Sequence, residues 1–318
     1  MDQVEMDPNA LSDDLRAKRD RLIELLRGYG SCAIGFSGGL DSSVLAKAAA
    51  VALGERAVAV TAVGASIASG ELDEARDVAR RIGIRHEIVE SREIDDPGYR
   101  RNAADRCYFC KSALAEEIRA AAERLGLAVI ADGRNRDDLG DHRPGIRAAN
   151  ERDMRGPLAE CGLTKDELRQ LARHWRLPIW DKPATPCLSS RIAYGEEVTE
   201  ERLHMVDRAE QFLRELGFRP FRVRYHRGDM ARIEVPASDI SRLADAELRR
   251  QVVEHFKQVG FKYVALDLEG FRSGSMNITL PAESLEVQAK PPPLLPDKEH
   301  DNQDNHKQQP KAEAGPKP

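Results

Sequence analysis

Short β-rich runs alternate with helical stretches along the first half of the chain, and this order limits the fold more than any other feature. Apolar runs at 31–36, 57–63, 84–89 and 127–132 are separated by helix-like segments at 41–53, 69–82 and 111–125. A further amphipathic helix over 14–29 precedes them, with Leu15, Leu22, Leu25 and Leu26 on one side. Strands joined through helices pair in parallel by right-handed crossovers, because a tight turn can join only antiparallel neighbours. The expected class is therefore α/β with a parallel sheet. Ligands in such sheets bind beyond the carboxyl ends of the strands. That location collects the loop after Phe36, the turn after Val63 and the segment from Asp132.

The loop after the first strand reads Ser37-Gly38-Gly39-Leu40-Asp41-Ser42-Ser43 and opens a helix. Its glycines allow a tight turn that presents backbone N–H groups to an oxyanion. The helix start adds unpaired donors and partial positive charge. Ser37, Ser42 and Ser43 offer hydroxyls, and Asp41 can hold a magnesium ion bridging phosphates. No lysine follows the glycines as a Walker loop requires, and G-x-G-x-x-G is absent. The residues match S-G-G-x-D-S, the pyrophosphate loop of ATP pyrophosphatases, which cut ATP between its α and β phosphates. The match implies a Rossmann-like PP-loop domain that takes ATP and Mg2+. A serine-rich turn that binds nothing is the bland alternative.

The chain of 318 residues suits two domains and a tail. The expected division is a PP-loop domain over 14–195, a small α+β domain over 196–280 and a disordered tail over 281–318. In the second region a helix at 199–216 has Thr199 as its cap. Alternating runs at 221–225 and 231–235 flank the turn-like Arg227-Gly228-Asp229, a hairpin pattern. A helix near 239–259 and a strand at 263–266 follow. From 291 on there are seven prolines and no aromatic residue, too little apolar surface to fold. The net charge of −5 argues against non-specific binding to nucleic acid or a membrane surface. With no long apolar run and an acidic N-terminus, the chain is expected to be cytoplasmic, and its five cysteines to be reduced thiols used for metal or chemistry.

Cys107 and Cys110 form a C-x-x-C at the start of the helix expected near Lys111. Alone this spacing suits redox chemistry, zinc, iron–sulfur or nothing. Cys187 lies among prolines and serines beside Arg191, a setting suited to lowering a thiol pKa. Cys32 within the first strand, and Cys161 before a helix cap at Thr164, read as buried hydrophobes. Thiolates from Cys107, Cys110 and Cys187 would leave a metal with an open position, whereas a structural zinc takes a fourth ligand. His86 and His142 are the candidates for that ligand, though neither is near these cysteines in sequence.

Several blocks in order resemble the LarE family of ATP-dependent sulfur transferases, over about residues 20–280. They are Ser37 to Ser42, Arg106-Cys107-Tyr108-Phe109-Cys110-Lys111, and Asp132-Gly133-Arg134-Asn135-Arg136-Asp137-Asp138. Arg143-Pro144-Gly145, Lys182-Pro183-Ala184, Cys187-Leu188-Ser189-Ser190-Arg191, Ala231-Arg232-Ile233-Glu234 and Gly274-Ser275-Met276-Asn277 follow. The resemblance implies that ATP adenylates a carboxylate of pyridinium-3,5-biscarboxylic acid mononucleotide. A sulfur nucleophile then displaces AMP, giving a thiocarboxylate for the nickel-pincer cofactor of lactate racemase. In one branch of the family the cysteine matching Cys187 gives up its own sulfur and becomes dehydroalanine. In the other, three cysteines hold a 4Fe–4S cluster that carries an added sulfide. Members of the first branch lack the paired cysteines, so Cys107 and Cys110 favour the cluster. Cys187 and Asp41 are the expected catalytic residues; Ser37, Gly38, Gly39, Asp41, Ser42, Ser43, Asp132 and Arg191 form the expected nucleotide set. The resemblance places Arg222 and Arg224 at the substrate phosphate with Glu234 nearby, although Glu234 and Asp267 could equally hold arginines in place. It also implies a homo-oligomer.

Three rivals share parts of this pattern. A PP-loop tRNA thiolase with a three-cysteine cluster should carry a strong basic surface, against the net charge of −5. A non-enzymatic iron–sulfur or zinc scaffold has no need of the intact loop. Amide-forming synthetases need ammonia and no cysteine set.

Overall fold

The computed structural model describes residues 11–140, 144–183, 185–272 and 275–276. Its elements in chain order are α1 (Asp13–Gly28), β1 (Cys32–Gly35), α2 (Leu40–Leu53), β2 (Ala57–Val63), α3 (Glu71–Ile82), β3 (Arg85–Glu90), α4 (Pro97–Arg100), α5 (Arg106–Leu125) and β4 (Val129–Ala131). They continue with α6 (Pro144–Glu151), α7 (Pro157–Glu160), α8 (Lys165–His174), α9 (Glu200–Glu215), β5 (Arg222–His226), β6 (Met230–Glu234), α10 (Ala237–Ala244), α11 (Ala246–Gln258) and β7 (Tyr263–Leu266).

The first sheet has the order β3-β2-β1-β4 with every pair parallel, as the alternation predicts. Successive strand residues face opposite ways. Cys32, Ile34, Ala57 and Ala59 therefore join one core with α1, α2, α3 and α8, while Ala33, Val58 and Val60 join another with α5. A strand buried on both faces has to be apolar throughout, which is why β1 and β2 read as continuous runs. Helix α2 is apolar on almost every side because other helices and the sheet surround it.

The second sheet pairs β5 with β6 antiparallel and β6 with β7 in parallel. Gly228 and Asp229, both with positive φ, turn the hairpin at the expected place. Its core is largely aliphatic and aromatic, with Val206, Leu213, Phe218, Val223, Phe256 and Phe261. Two expectations are corrected. The helix expected near Lys111 begins at Arg106, so both Cys107 and Cys110 lie within it; no Gly or Pro between Asp105 and Lys111 interrupts it. The helix expected near 239–259 is two helices, broken at Asp245, whose backbone is non-helical and whose side chain caps α11 by accepting from Glu247 N and Leu248 N. The tail over 281–318 and the end of the region 196–280 lie outside the described residues.

Segment 188–193 fastens the two sheets together. Leu188 N donates to Ser66 O beyond β2 (2.9 Å), and Ala193 N donates to Tyr225 O in β5 (3.0 Å). Cys187, just before it, is thus held between the carboxyl edge of one sheet and the first strand of the other.

Candidate functional site

A cavity of about 710 Å³ opens beyond the carboxyl ends of the first sheet. Ser37, Gly39, Asp41 and Ser42 line it, together with Asp132, just after β4, and with Cys107 and Cys187. The loop is ordered by its own hydroxyls. Ser42 Oγ accepts from Ser37 N (3.3 Å), and Ser37 Oγ accepts from Gly39 N (3.3 Å). The first helical bond runs from Ser43 N to Gly39 O (3.0 Å), so the amides of Leu40, Asp41 and Ser42 precede the ladder. Gly38 has φ of +66°, and a Cβ there would stand 2.8 Å from Ala75 Cα. Both facts require glycine.

Asp41 accepts from Asn135 Nδ2 (3.2 Å) and pairs with Lys165, the first residue of α8. Asp132 is almost fully buried and pairs with Lys111 at 2.7 Å and Arg134 at 3.4 Å. Ser43 departs from expectation. It is fully buried, its hydroxyl has no partner among the described residues, and it does not line the cavity. One step along a helix turns a side chain by about 100°, so Ser42 and Ser43 cannot share a face.

A smaller cavity of about 180 Å³ adjoins the first and is lined by Arg106, Arg222, Arg224 and Arg272, with Tyr194 shared between the two. The Nε atoms of Arg224 and Arg272 are buried without a partner among the described residues. Burial, together with the charges of Arg191 and Arg224, pushes the Arg222 guanidinium below its ordinary range. An anion would relieve all three costs. Glu234, expected at the substrate, is fully buried and accepts from Arg224 Nη2 (2.8 Å), Arg232 Nη1 (2.9 Å) and Ser275 Oγ (2.7 Å). It orients arginines and lines neither cavity; Asp267 likewise pairs with Arg232. Arg191 is also corrected. Its buried guanidinium pairs with Glu210 and donates to Cys187 O (3.1 Å), which fixes the Cys187 segment from behind and lines neither cavity.

The asparagine synthase family profile matches residues 24–106, the span of the loop and the first three strands. An uncharacterised protein of Synechocystis sp. is 46% identical over 84% of this chain and 99% of its own length. The pyridinium-3,5-bisthiocarboxylic acid mononucleotide synthase of Lactiplantibacillus plantarum is 34% identical over 84% of this chain and 96% of its own. The chain belongs to the LarE family. As a LarE protein it is a PP-loop, ATP-dependent sulfur transferase. A tRNA-specific 2-thiouridylase of Azorhizobium caulinodans is 32% identical, but over only 47% of this chain and 48% of its own.

The cysteines of this LarE chain separate as their surroundings dictate. Cys32 and Cys161 are buried, and burial pushes the Cys32 thiol up to about 12 and Cys161 upward as well. Cys107 and Cys187 are exposed at the cavity, whereas Cys110 is half-buried against the second core. Burial first, then negative charge at Cys187, Glu93 and Cys107, raises the Cys110 thiol well above its ordinary range. Among the described residues, no three His, Cys, Asp or Glu side chains stand close enough to hold a single metal ion. His86 is engaged by Thr61 Oγ1 at 2.7 Å, and His142 lies outside the described residues. No helix among them is long and apolar enough to cross a membrane. Sequence reasoning missed Lys165, Tyr194 and Arg272. Lys165 follows a capping threonine like any surface lysine, and no local pattern ties it to Asp41, 124 residues earlier.

Proposed function

We propose that this chain adenylates the ring carboxylates of pyridinium-3,5-biscarboxylic acid mononucleotide and converts them to thiocarboxylates for the nickel-pincer cofactor of lactate racemase. One observation carries the reading: the pyrophosphate loop and Cys187 share one cavity, and that cavity adjoins an arginine-lined one sized for a phosphate. The name of the Lactiplantibacillus relative gives the bisthiocarboxylated product of such a conversion, which supports this reading. ATP lies with its β and γ phosphates on the loop amides at the start of α2, and Asp41 is the residue that would hold a magnesium ion there. A ring carboxylate oxygen attacks the α phosphorus, and the α–β bridging oxygen leaves with pyrophosphate. Charge that develops there meets the helix start and Lys111. Sulfur then attacks the acyl carbon, and the C–O bond breaks to release AMP, a far better leaving group than oxide. Arg222 and Arg224 hold the substrate phosphate and so fix the carboxylate's reach.

Cys107, Cys110 and Cys187 fit a 4Fe–4S cluster in donor chemistry: negative charge at Cys187 and Cys107 helps raise the Cys110 thiol, and a cationic centre would offset that cost. When bound, the cluster would supply a sulfide at the iron without a cysteine. Pyrophosphate release in the presence of the biscarboxylated nucleotide tests the adenylation, with Asp41→Ala expected to lower it about a hundredfold. Salt-sensitive tRNA binding without such release would instead favour a thiouridylase. Chain mass before and after turnover, with the visible spectrum recorded without oxygen, tests the sulfur source. Loss of one sulfur from Cys187 without cluster absorbance would overturn the cluster.

A further inference from the structure

Tyr194 is half-buried, contributes to the wall of both cavities and is held from several sides. The buried Asn102 amide donates to Ala193 O (2.8 Å) and Glu196 O (2.9 Å), and Asn102 O accepts from Gly195 N (3.1 Å). The backbone on each side of Tyr194 is thereby clamped to one residue of the first domain. The Arg106 guanidinium lies over one face of the ring, 5.9 Å from its centre, so a ligand has only the opposite face to use. The guanidinium is itself fixed by Asn102 Oδ1 (2.5 Å) and Ser189 O (2.8 Å). The backbone flanking Tyr194 is thus ordered although the ring itself is no part of the second core.

The substrate proposed above is a flat cationic ring joined through a ribose to a phosphate. With its phosphate among Arg222, Arg224 and Arg272, and one carboxylate in the nucleotide cavity, the ring has to cross the wall the cavities share. We propose that Tyr194 is the seat of the pyridinium ring, a positioning residue that binds it through the phenol face opposite Arg106; the inference rests on the substrate reading above. A cation is attracted to an aromatic face, and the attraction grows where water is excluded. A rigid seat also fixes the carboxylate's approach to the α phosphorus.

The test is calorimetric titration of the anaerobically prepared full chain with the biscarboxylated pyridinium mononucleotide and with its dihydropyridine form, whose ring carries no charge, for wild type, Tyr194→Phe and Tyr194→Leu. Tyr194→Phe keeps the ring face and should bind the pyridinium form within about threefold of wild type. Tyr194→Leu should weaken it about tenfold and lose the preference for the cation over the neutral ring. The KM for ATP should stay within about twofold in both, which separates ring binding from a folding defect. Equal binding by Tyr194→Leu and wild type, or an unchanged cation preference, would overturn the seat while leaving the substrate reading intact. If wild type binds neither form, the substrate reading itself fails, and the seat with it.

Discussion

Arg191 and Glu210 sit with side chains only 2% and 3% exposed, joined by two bonds of 3.0 and 3.1 Å. Each charge has lost its water, so each depends on the other. Glu210 Oε1 also accepts from Val223 N (3.0 Å), while Arg191 holds the carbonyl of Cys187; the pair thus ties β5 to the cysteine segment. Glu210→Gln leaves the guanidinium buried against a neutral group. The expected loss is about 3–5 kcal/mol in urea unfolding, and a loss under ~1 kcal/mol would mean that water reaches the site. None of this is visible in sequence, where Arg191 has Cys187 as its obvious neighbour. Its true partner is 19 residues away on another element. Ser43 misleads for a related reason: the motif names residue types, and the helical turn then decides which of two adjacent serines faces the ligand.

Elements set by a periodic pattern are legible, and breaks in them are not. The four strands of the first sheet and their parallel pairing follow from apolar runs between helices. The division of α10 from α11 hinges on a single backbone conformation at Asp245, which the composition around it does not announce. The approach of β4 to α2 is likewise hidden. Gly133 follows β4, and a Cβ there would lie 2.8 Å from Ser42 N and 3.0 Å from the carbonyl carbon of Asp41. Both are backbone atoms of the pyrophosphate loop and its helix, so no side chain can swing aside. Gly133→Ala should therefore push the helix start away from its seat. A KM for ATP raised about tenfold or more is the expected result in steady-state kinetics, with a lower thermal midpoint. An unchanged KM would show that the loop is placed by its own hydroxyls alone.

Across the molecule, the alternation of strands and helices predicts the larger cavity, because every carboxyl strand end opens to one edge. The smaller cavity could not be read this way. It is assembled from α5, the Pro186–Tyr194 segment, β5 and the chain after β7, and only the tertiary fold brings these together. One connection through the sheet has a measurable consequence. Thr61 Oγ1 in β2 donates to Phe36 O at the end of β1 (2.7 Å) and lies 2.7 Å from His86 Nε2 in β3. The hydroxyl has one proton, already given to Phe36, so His86 Nε2 is the donor to Thr61. Burial, and then the charge of Arg76, holds the His86 pKa below its ordinary value. The unfolded chain therefore takes up a proton at a higher pH than the folded one does. The stability this provides is complete above about pH 7 and is lost as pH falls through the unfolded histidine range near 6.5. Glu71 and Glu117, raised by burial, contribute the opposite slope and are common to wild type and variant. His86→Gln keeps an N–H for Thr61 and removes the titration. Thermal midpoints measured from pH 7 down to pH 5 should fall more steeply for wild type than for His86→Gln, and parallel curves would show that His86 carries the same proton affinity folded and unfolded.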